Sequence, residues 1–324
     1  MVKPKVFITR RWPKEAEERL KKIFDVTLNQ DDKVLSNNEI AEGFYNHDAL
    51  ACTVSDTIDE NIIKSGKTGK GKIIANFGVG FNHIDLNACK KYKIVVTNTP
   101  DILTDATADL TILLMLMVSR RSKEGEYEIE NNKWAGWRPT HLLGSELSHK
   151  TLGIIGFGRI GQAVAKRAYF GFNMKIKYYN RSKKNIDLSF EAEEINNITE
   201  LCKSSDFLSL HCPGGYKNKH LVDHDVLNAM KKTGYLINTA RGDLINEISL
   251  VEALNTNQIA GAGLDVFENE PNINPLFFKA KNLTMLPHLG SATLETRDAM
   301  GNKVFENLKK YFKTGEVIDP VNLG

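Results

Sequence analysis

The chain has 324 residues, about the length of two domains. Hydrophobic residues make up 41% and charged residues 26%, and the net charge is only +3, so the composition is that of a globular protein without a basic stripe for nucleic acid. The four scattered cysteines form no CxxC pair, which predicts a reducing, cytoplasmic compartment and no metal site.

The first hundred residues alternate short apolar runs with charged amphipathic stretches, a pattern that predicts parallel βαβ units. We expect strands at 6–9, 49–54, 72–77 and 94–96, and helices at 13–23 and 36–43. The segment Gly66-Lys67-Thr68 resembles the end of a P-loop. However, Asn61 stands where the first glycine of that motif would be and no strand precedes it, so we expect no phosphate site there.

A long helix from about Leu103 to Ser119 follows, and its most apolar part, Leu110 to Val118, is too short to span a bilayer. A polar segment at 124–148 then carries Trp134 and Trp137. From Thr151 a second αβ series begins, with strands expected at 151–155, 175–180, 206–211, 234–238, 260–266 and 283–286, and a final helix at 292–314. Each half predicts one parallel sheet with helices on both faces, and we expect a ligand in the cleft between the halves, at the carboxyl ends of the strands.

The strongest motif is Gly156-Phe157-Gly158-Arg159-Ile160-Gly161, which directly follows a predicted strand and directly precedes a predicted helix. In this context a GxGxxG sequence is typical of a dinucleotide site. The first glycine permits a tight turn, the second lets the pyrophosphate approach the backbone, and the third lets helix and strand pack closely.

The next strand ends at Asn180, where an NAD site usually has a carboxylate for the ribose hydroxyls. Arg181, Ser182 and two lysines follow it. Arg181 can pair with a 2′-phosphate and Ser182 can donate to it, so the sequence favours NADP(H) over NAD(H).

Three polar side chains follow successive strands of the second half: Arg241, a glutamate in the segment 268–270, and His288. An arginine fork matches a carboxylate bidentately, and a glutamate hydrogen-bonded to a histidine favours its protonated form and fixes its orientation. Hydride transfer to a 2-oxo acid needs a cation for the carboxylate, an acid for the developing alkoxide, and a group that keeps this acid protonated. The three residues together fit those needs.

Over essentially its full length the chain resembles the D-isomer-specific 2-hydroxyacid dehydrogenase family. The matching motifs are the glycine loop, Asn238-Thr239-Ala240-Arg241-Gly242, Gly263-Leu264-Asp265-Val266 through Glu270-Pro271, and Pro287-His288. The resemblance implies that Arg241 binds and polarises the substrate, that Glu270 supports the acid, and that His288 donates the proton. It implies cofactor contacts from Gly156, Gly158, Arg159, Ile160, Gly161, Asn180, Arg181, Ser182, Thr239, Ala240, Asp265, Gly290 and Thr104, and substrate contacts from Val79, Gly80, Ser291 and Trp137 in addition to Arg241 and His288.

The resemblance also implies the domain organisation. A Rossmann NAD(P)-binding domain at 100–289, with a dimerisation arm at about 123–148, would be inserted in a flavodoxin-like substrate domain formed by 1–99 and 290–324. In the latter domain, Gly78-Val79-Gly80 resembles the segment whose backbone N–H groups hold the substrate carboxylate, and a Gly-Val-Gly turn after a strand makes a suitable anion nest.

Within the family the chain most resembles glyoxylate/hydroxypyruvate reductases, on the stretches 98–105, 134–139 and 288–293. This implies NADPH-dependent reduction of a small 2-oxo acid to the D-2-hydroxy acid by a homodimer, with Trp137 reaching the partner's active site. A plain interface or core position for Trp134 and Trp137 stays open.

The sequence also bears on three other functions. 2-Ketogluconate reductases, and reductases of other 2-keto acids, share most of these features, so the size of the substrate stays open. A dinucleotide-sensing binding protein of the corepressor type is disfavoured by the lack of added tails or a basic patch. Formate dehydrogenase carries Gln in place of the supporting glutamate, and Glu270 argues against it.

Overall fold

The computed structural model describes residues 2–182 and 186–323, and the chain divides into two compact units. One, which we call the discontinuous unit, consists of Met1–Leu103 and Ser291–Gly324; the other, the inserted unit, is Thr104–Gly290. The sequence predicted the two divisions after residues 99 and 289, and in the structure they fall after residues 103 and 290.

The discontinuous unit contains one sheet of five parallel strands in the order β2-β1-β3-β4-β5. The strands are β1 (Lys5–Ile8), β2 (Asp25–Leu28), β3 (Ala49–Thr53), β4 (Ile73–Phe77) and β5 (Val95–Thr97). Its helices are α1 (Lys14–Ile23), α2 (Asn37–Asn46), α3 (Glu60–Thr68), α4 (Leu86–Tyr92) and the last helix of the chain, Leu294–Thr314. This strand order is the flavodoxin-like order.

Apolar residues on successive positions of the central strands alternate between two cores. In β4, Ile74 packs in one core whereas Ile73 and Ala75 pack in the other. Both faces of the sheet are therefore covered by helices, as expected for a parallel sheet.

The inserted unit contains a sheet of seven parallel strands in the order β12-β11-β10-β9-β6-β7-β8. The strands are β6 (Thr151–Ile155), β7 (Lys175–Tyr179), β8 (Glu193–Glu194), β9 (Phe207–Leu210), β10 (Tyr235–Asn238), β11 (Gly261–Leu264) and β12 (Leu283–Met285). Its helices are α5 (Thr104–Ser119), α6 (Ser122–Glu130), α7 (Arg159–Phe172), α8 (Ile198–Ser204), α9 (His224–Ala229) and α10 (Glu247–Asn255). The strand order reverses between β6 and β9, which is where this fold binds ligands.

The predicted fold class, two doubly wound parallel-sheet domains, is confirmed. Three elements of the discontinuous unit were not predicted: β2, α3 and α4. Strand β2 reads Asp-Val-Thr-Leu and lies at the sheet edge with alternating exposed and half-buried residues, so it lacks an apolar run. The Gly66-Lys67-Thr68 segment is the last turn of α3, whose first turn is capped by Asp59.

Residues 131–150, between α6 and β6, form turns and irregular segments without a helix or strand. Throughout residues 2–182 and 186–323, no helix is both long enough and apolar enough to cross a membrane.

Candidate active site

The glycine loop follows β6 and leads directly into α7. Gly156 has a φ of 93°, and a Cβ atom there would lie 2.5 Å from the backbone nitrogen of Cys212. A Cβ at Gly161 would lie 2.6 Å from the carbonyl oxygen of Gly156, so the helix packs against the loop with no room for a side chain. By contrast, no atom lies within 4 Å of a Cβ built at Gly158. The loop therefore leaves open space at its middle glycine, where a ligand can approach the backbone.

The first turn of α7 adds to this cradle. Its N-cap, Gly158, makes no side-chain cap, so no side chain from that position covers the first N–H groups of the helix. Such groups, together with the positive end of the helix dipole, suit a pyrophosphate. The loop and the helix thus fit a dinucleotide.

The end of β7 is joined to the glycine loop through Asn180. Its Oδ1 accepts a hydrogen bond of 2.7 Å from the backbone N–H of Phe157, while its Nδ2 is buried without a partner among the described residues. Arg181 is exposed, and its Nη1 donates to Asn218 Oδ1 at 3.3 Å. Ser182 is exposed as well, and the two lysines that follow lie outside the described residues.

Arg241 stands at the carboxyl end of β10. The turn that carries it is fixed by the fully buried Asn238, whose Oδ1 accepts from Ala240 N at 3.0 Å and whose Nδ2 donates to the Arg241 carbonyl at 2.8 Å. Burial lowers the pKa of the Arg241 guanidinium, and the nearby carboxylates of Glu270 and Asp243 oppose that shift. A cation held in this way is a ready partner for an incoming carboxylate.

Glu270 and His288 form a pair at the carboxyl ends of β11 and β12. His288 Nδ1 lies 2.7 Å from Glu270 Oε2, and the other oxygen of Glu270 accepts from the backbone N–H of Phe267 at 2.8 Å. Each side chain of the pair is 33% exposed.

Burial alone raises the pKa of Glu270, but the hydrogen bond and charge of His288 and the bond from Phe267 bring that pKa below its usual range. Glu270 is therefore ionised and can only accept, so Nδ1 of His288 must carry the hydrogen. When His288 is protonated, its second N–H lies on Nε2, for which no hydrogen-bond partner is found in the part of the chain described.

The backbone of His288 has a φ of 55°, in the left-handed region, which costs a non-glycine residue about 1–2 kcal/mol. Asp265 holds this turn: its carbonyl accepts from His288 N at 2.9 Å, and its carboxylate accepts from Leu289 N at 2.7 Å and Gly290 N at 2.8 Å. The Asp265 side chain is fully buried, and burial raises its pKa to about 6. Thr107 donates to the Gly290 carbonyl at 3.1 Å, so the turn is bound from both sides.

Because the strands of the seven-stranded sheet are parallel, these groups lie along one edge of it. From β12 to β7 the edge carries His288, then Asp265 and Glu270, then Arg241, then His211 and Cys212, then Gly156, and finally Asn180. The packing of His211 and Cys212 against Gly156 was not predicted. Their position after β9, next to β6 in the strand order, is the signal that could have found them.

The remaining predicted residues lie at several places. In the inserted unit, Arg159 and Ile160 begin α7, Thr104 begins α5, and the Thr239 hydroxyl is bonded to that of Thr111 at 2.9 Å. Val79, Gly80 and Ser291 belong to the discontinuous unit, where the first two follow β4 and Ser291 precedes the last helix.

The two tryptophans lie in the irregular segment 131–150 of the inserted unit. Trp137 is 82% exposed and Trp134 is 57% exposed. Neither tryptophan is therefore a core residue of this chain.

Known proteins resemble the chain over nearly its whole length. The family described as D-isomer specific 2-hydroxyacid dehydrogenase, NAD binding domain, matches residues 112–290. A glyoxylate reductase of Thermococcus litoralis is 43% identical, across 99% of this chain and 97% of its own length. One of Pyrococcus horikoshii is 41% identical, across 98% and 95%. The solved structure of an NADPH-dependent glyoxylate/hydroxypyruvate reductase from Sinorhizobium meliloti, in complex with NADP and malonate, has a TM-score of 0.87 and 32% identity, and the match covers 99% of this chain and 97% of that one.

Proposed function

The chain belongs to the D-isomer-specific 2-hydroxyacid dehydrogenase family, and we propose that it is an NADPH-dependent reductase of glyoxylate and hydroxypyruvate. Membership makes it an NAD(P)-dependent oxidoreductase of 2-oxo acids. The observation that carries the proposed reduction chemistry is the His288–Glu270 pair beside Arg241, at the same sheet edge as the glycine loop.

In the proposed reaction Arg241 binds the substrate carboxylate through its planar fork and polarises the ketone. His288 donates the proton on Nε2 to the carbonyl oxygen as negative charge develops there. Ionised Glu270 accepts from Nδ1 and keeps the imidazole oriented. NADPH, when bound, supplies the hydride.

We assign the dinucleotide to the inserted unit, with the glycine loop and α7 at its pyrophosphate. The preference for NADPH is assigned to the turn after β7, Asn180 to Ser182, where the exposed guanidinium of Arg181 and the hydroxyl of Ser182 can donate to a 2′-phosphate. The three residues provide no carboxylate that would repel it. The S. meliloti relative, described as NADPH-dependent, supports this assignment.

In the inserted unit the substrate carboxylate is assigned to Arg241. In the discontinuous unit the backbone of Val79 and Gly80, and Ser291, are proposed as substrate contacts. The names of the relatives support a small 2-oxo acid. Trp137, exposed on an irregular arm, is assigned to the active site of the second subunit of a homodimer, a role that leaves it uncovered within one chain.

A steady-state panel tests the proposal: glyoxylate, hydroxypyruvate, pyruvate and 2-ketogluconate, each with NADPH and with NADH. We expect the highest kcat/KM for glyoxylate or hydroxypyruvate with NADPH. A higher value for 2-ketogluconate would overturn the substrate assignment, and equal use of NADH would overturn the cofactor assignment. No turnover with any of the four would refute the reductase itself.

A further inference from the structure

One buried amide lies directly behind the loop Gly78–Gly80, which we call the carboxylate loop. Asn76, in β4, is fully buried, and its Nδ2 donates to the carbonyl oxygens of Gly78 at 3.0 Å and Gly80 at 2.9 Å. On its other side, Oδ1 lies 3.1 Å from Nε2 of His83. An amide flipped by 180° would aim its oxygen at two carbonyl oxygens, so the contacts define its orientation.

The middle carbonyl of the loop is bound too. Val79 O accepts from Asn98 Nδ2 at 2.9 Å, and Gly78 O accepts a second bond from the backbone N–H of Thr99 at 3.0 Å. Three consecutive carbonyl oxygens are thus bonded within the discontinuous unit. For the N–H groups of Val79 and Gly80, in contrast, no acceptor is found in residues 2–182 and 186–323.

The bonded carbonyl oxygens and the N–H groups without an acceptor have opposite effects on a bound anion. Consecutive backbone N–H groups without an internal acceptor form an anion nest, whereas a carbonyl oxygen rotated toward a carboxylate would repel it. Each peptide of a Gly-Val-Gly turn can rotate easily because glycine accepts most backbone conformations. Something must therefore hold these carbonyls away from the ligand.

We propose that Asn76 is a positioning residue for substrate binding: its amide fixes the carbonyls of the carboxylate loop so that the N–H groups of Val79 and Gly80 stay available to the substrate carboxylate. His83 in turn fixes the amide, since Oδ1 can only accept and Nε2 must donate to it. The inference rests on the proposed function, because it takes the loop to be a carboxylate site.

The test compares Asn76→Ala with Asn29→Ala. Asn29 is the matched control because it is a buried asparagine of the same unit whose Nδ2 also donates to two carbonyl oxygens, those of Thr9 at 2.8 Å and Lys33 at 2.7 Å. Both variants lose the same kind of bonds and should lose similar thermal stability. We expect only N76A to raise KM for glyoxylate, by about tenfold, with kcat within about threefold of the wild type and KM for NADPH unchanged. This is the result expected when a lost interaction stabilised the bound substrate and the transition state equally.

A binding measurement separates this inference from the proposed function. Calorimetry of oxalate binding to the NADPH-loaded protein needs no turnover, and we expect Kd to rise about tenfold in N76A and to stay unchanged in N29A. A wild-type protein that binds oxalate but reduces no 2-oxo acid would contradict the proposed function. The role of Asn76 would then be decided by Kd for oxalate in N76A and N29A. An unchanged Kd and KM in N76A, equal rises in N76A and N29A, or a wild-type protein that does not bind oxalate would each overturn it.

If N76A does not fold, a milder variant, Asn98→Ala, tests whether the loop carbonyls must be held. Asn98 is only half-buried, and Asn98→Ala frees the single carbonyl of Val79. We expect Kd for oxalate to rise about threefold in N98A. A value equal to that of the wild type would show that the carbonyls need no holding, and would overturn the proposal.

Discussion

The two units present polar groups at strand ends in different ways. In the inserted unit, Arg241 and His288 offer side chains, and each is held by another side chain or by a bonded turn. In the discontinuous unit, Val79 and Gly80 offer backbone N–H groups, and the holding is done from behind by buried amides. A site made of side chains depends on the identity of the residue that touches the ligand. A site made of backbone depends instead on residues that do not touch it.

The largest effect is expected at His288. His288→Ala should lower kcat for glyoxylate about 10²–10⁴-fold, because the proton donor is lost, and should leave NADPH affinity unchanged by fluorescence titration. His220→Ala is a matched control, since His220 is 34% exposed and its Nε2 lies 3.3 Å from Glu268 in the same unit. Comparable loss in both variants, or full activity in H288A, would remove His288 from the proton-donor role.

A smaller loss is expected when the pair keeps its shape but loses its charge. Glu270→Gln retains an acceptor for His288, so kcat should fall by about tenfold to a hundredfold rather than more. Full activity in E270Q would remove Glu270 from the supporting role.

A substitution at Arg181 should change the preference between NADPH and NADH without changing the chemical step. Arg181→Ala should raise KM for NADPH about tenfold and KM for NADH less than about twofold, since only the former has a 2′-phosphate to pair. Lys177→Ala, which removes a cation of β7 paired with Glu193 at 3.1 Å, serves as the control and should change neither constant. Equal increases for both cofactors in R181A would contradict the 2′-phosphate assignment.

The smallest effect is expected at Val79, whose proposed contact with the substrate is made by its backbone. Val79→Ala keeps the N–H group and changes only a half-buried side chain, so KM for glyoxylate should stay within about twofold of the wild type. A tenfold rise would mean that the side chain of Val79 itself is read, and the contrast between the two units would fail.

The sequence predicts the candidate site of the inserted unit better than that of the discontinuous unit, because the first is made of side chains and the second of backbone groups. In the inserted unit the side chains that carry the proposed chemistry follow strongly apolar strands, so their place at one sheet edge could be deduced. The residues alone left the glutamate open within 268–270, and the structure shows that Glu270 contacts His288 whereas Glu268 contacts His220. That choice depends on the path of a loop, which has no periodic signal.

In the discontinuous unit the sequence predicted the Gly-Val-Gly turn but not Asn76. A single asparagine in an apolar strand has no pattern that distinguishes a structural amide from a turn residue. Its partners are the backbone carbonyls of the loop, which every residue carries, so only coordinates reveal the contact. The strand β2 was missed for a related reason, since half of its residues are polar.

The most direct test of the central claim is the identity of the product. Hydroxypyruvate and NADPH are incubated with the purified protein, and the glycerate formed is resolved on a chiral column. We predict D-glycerate in amounts equal to the NADPH consumed. L-glycerate, or NADPH oxidation without glycerate, would contradict it.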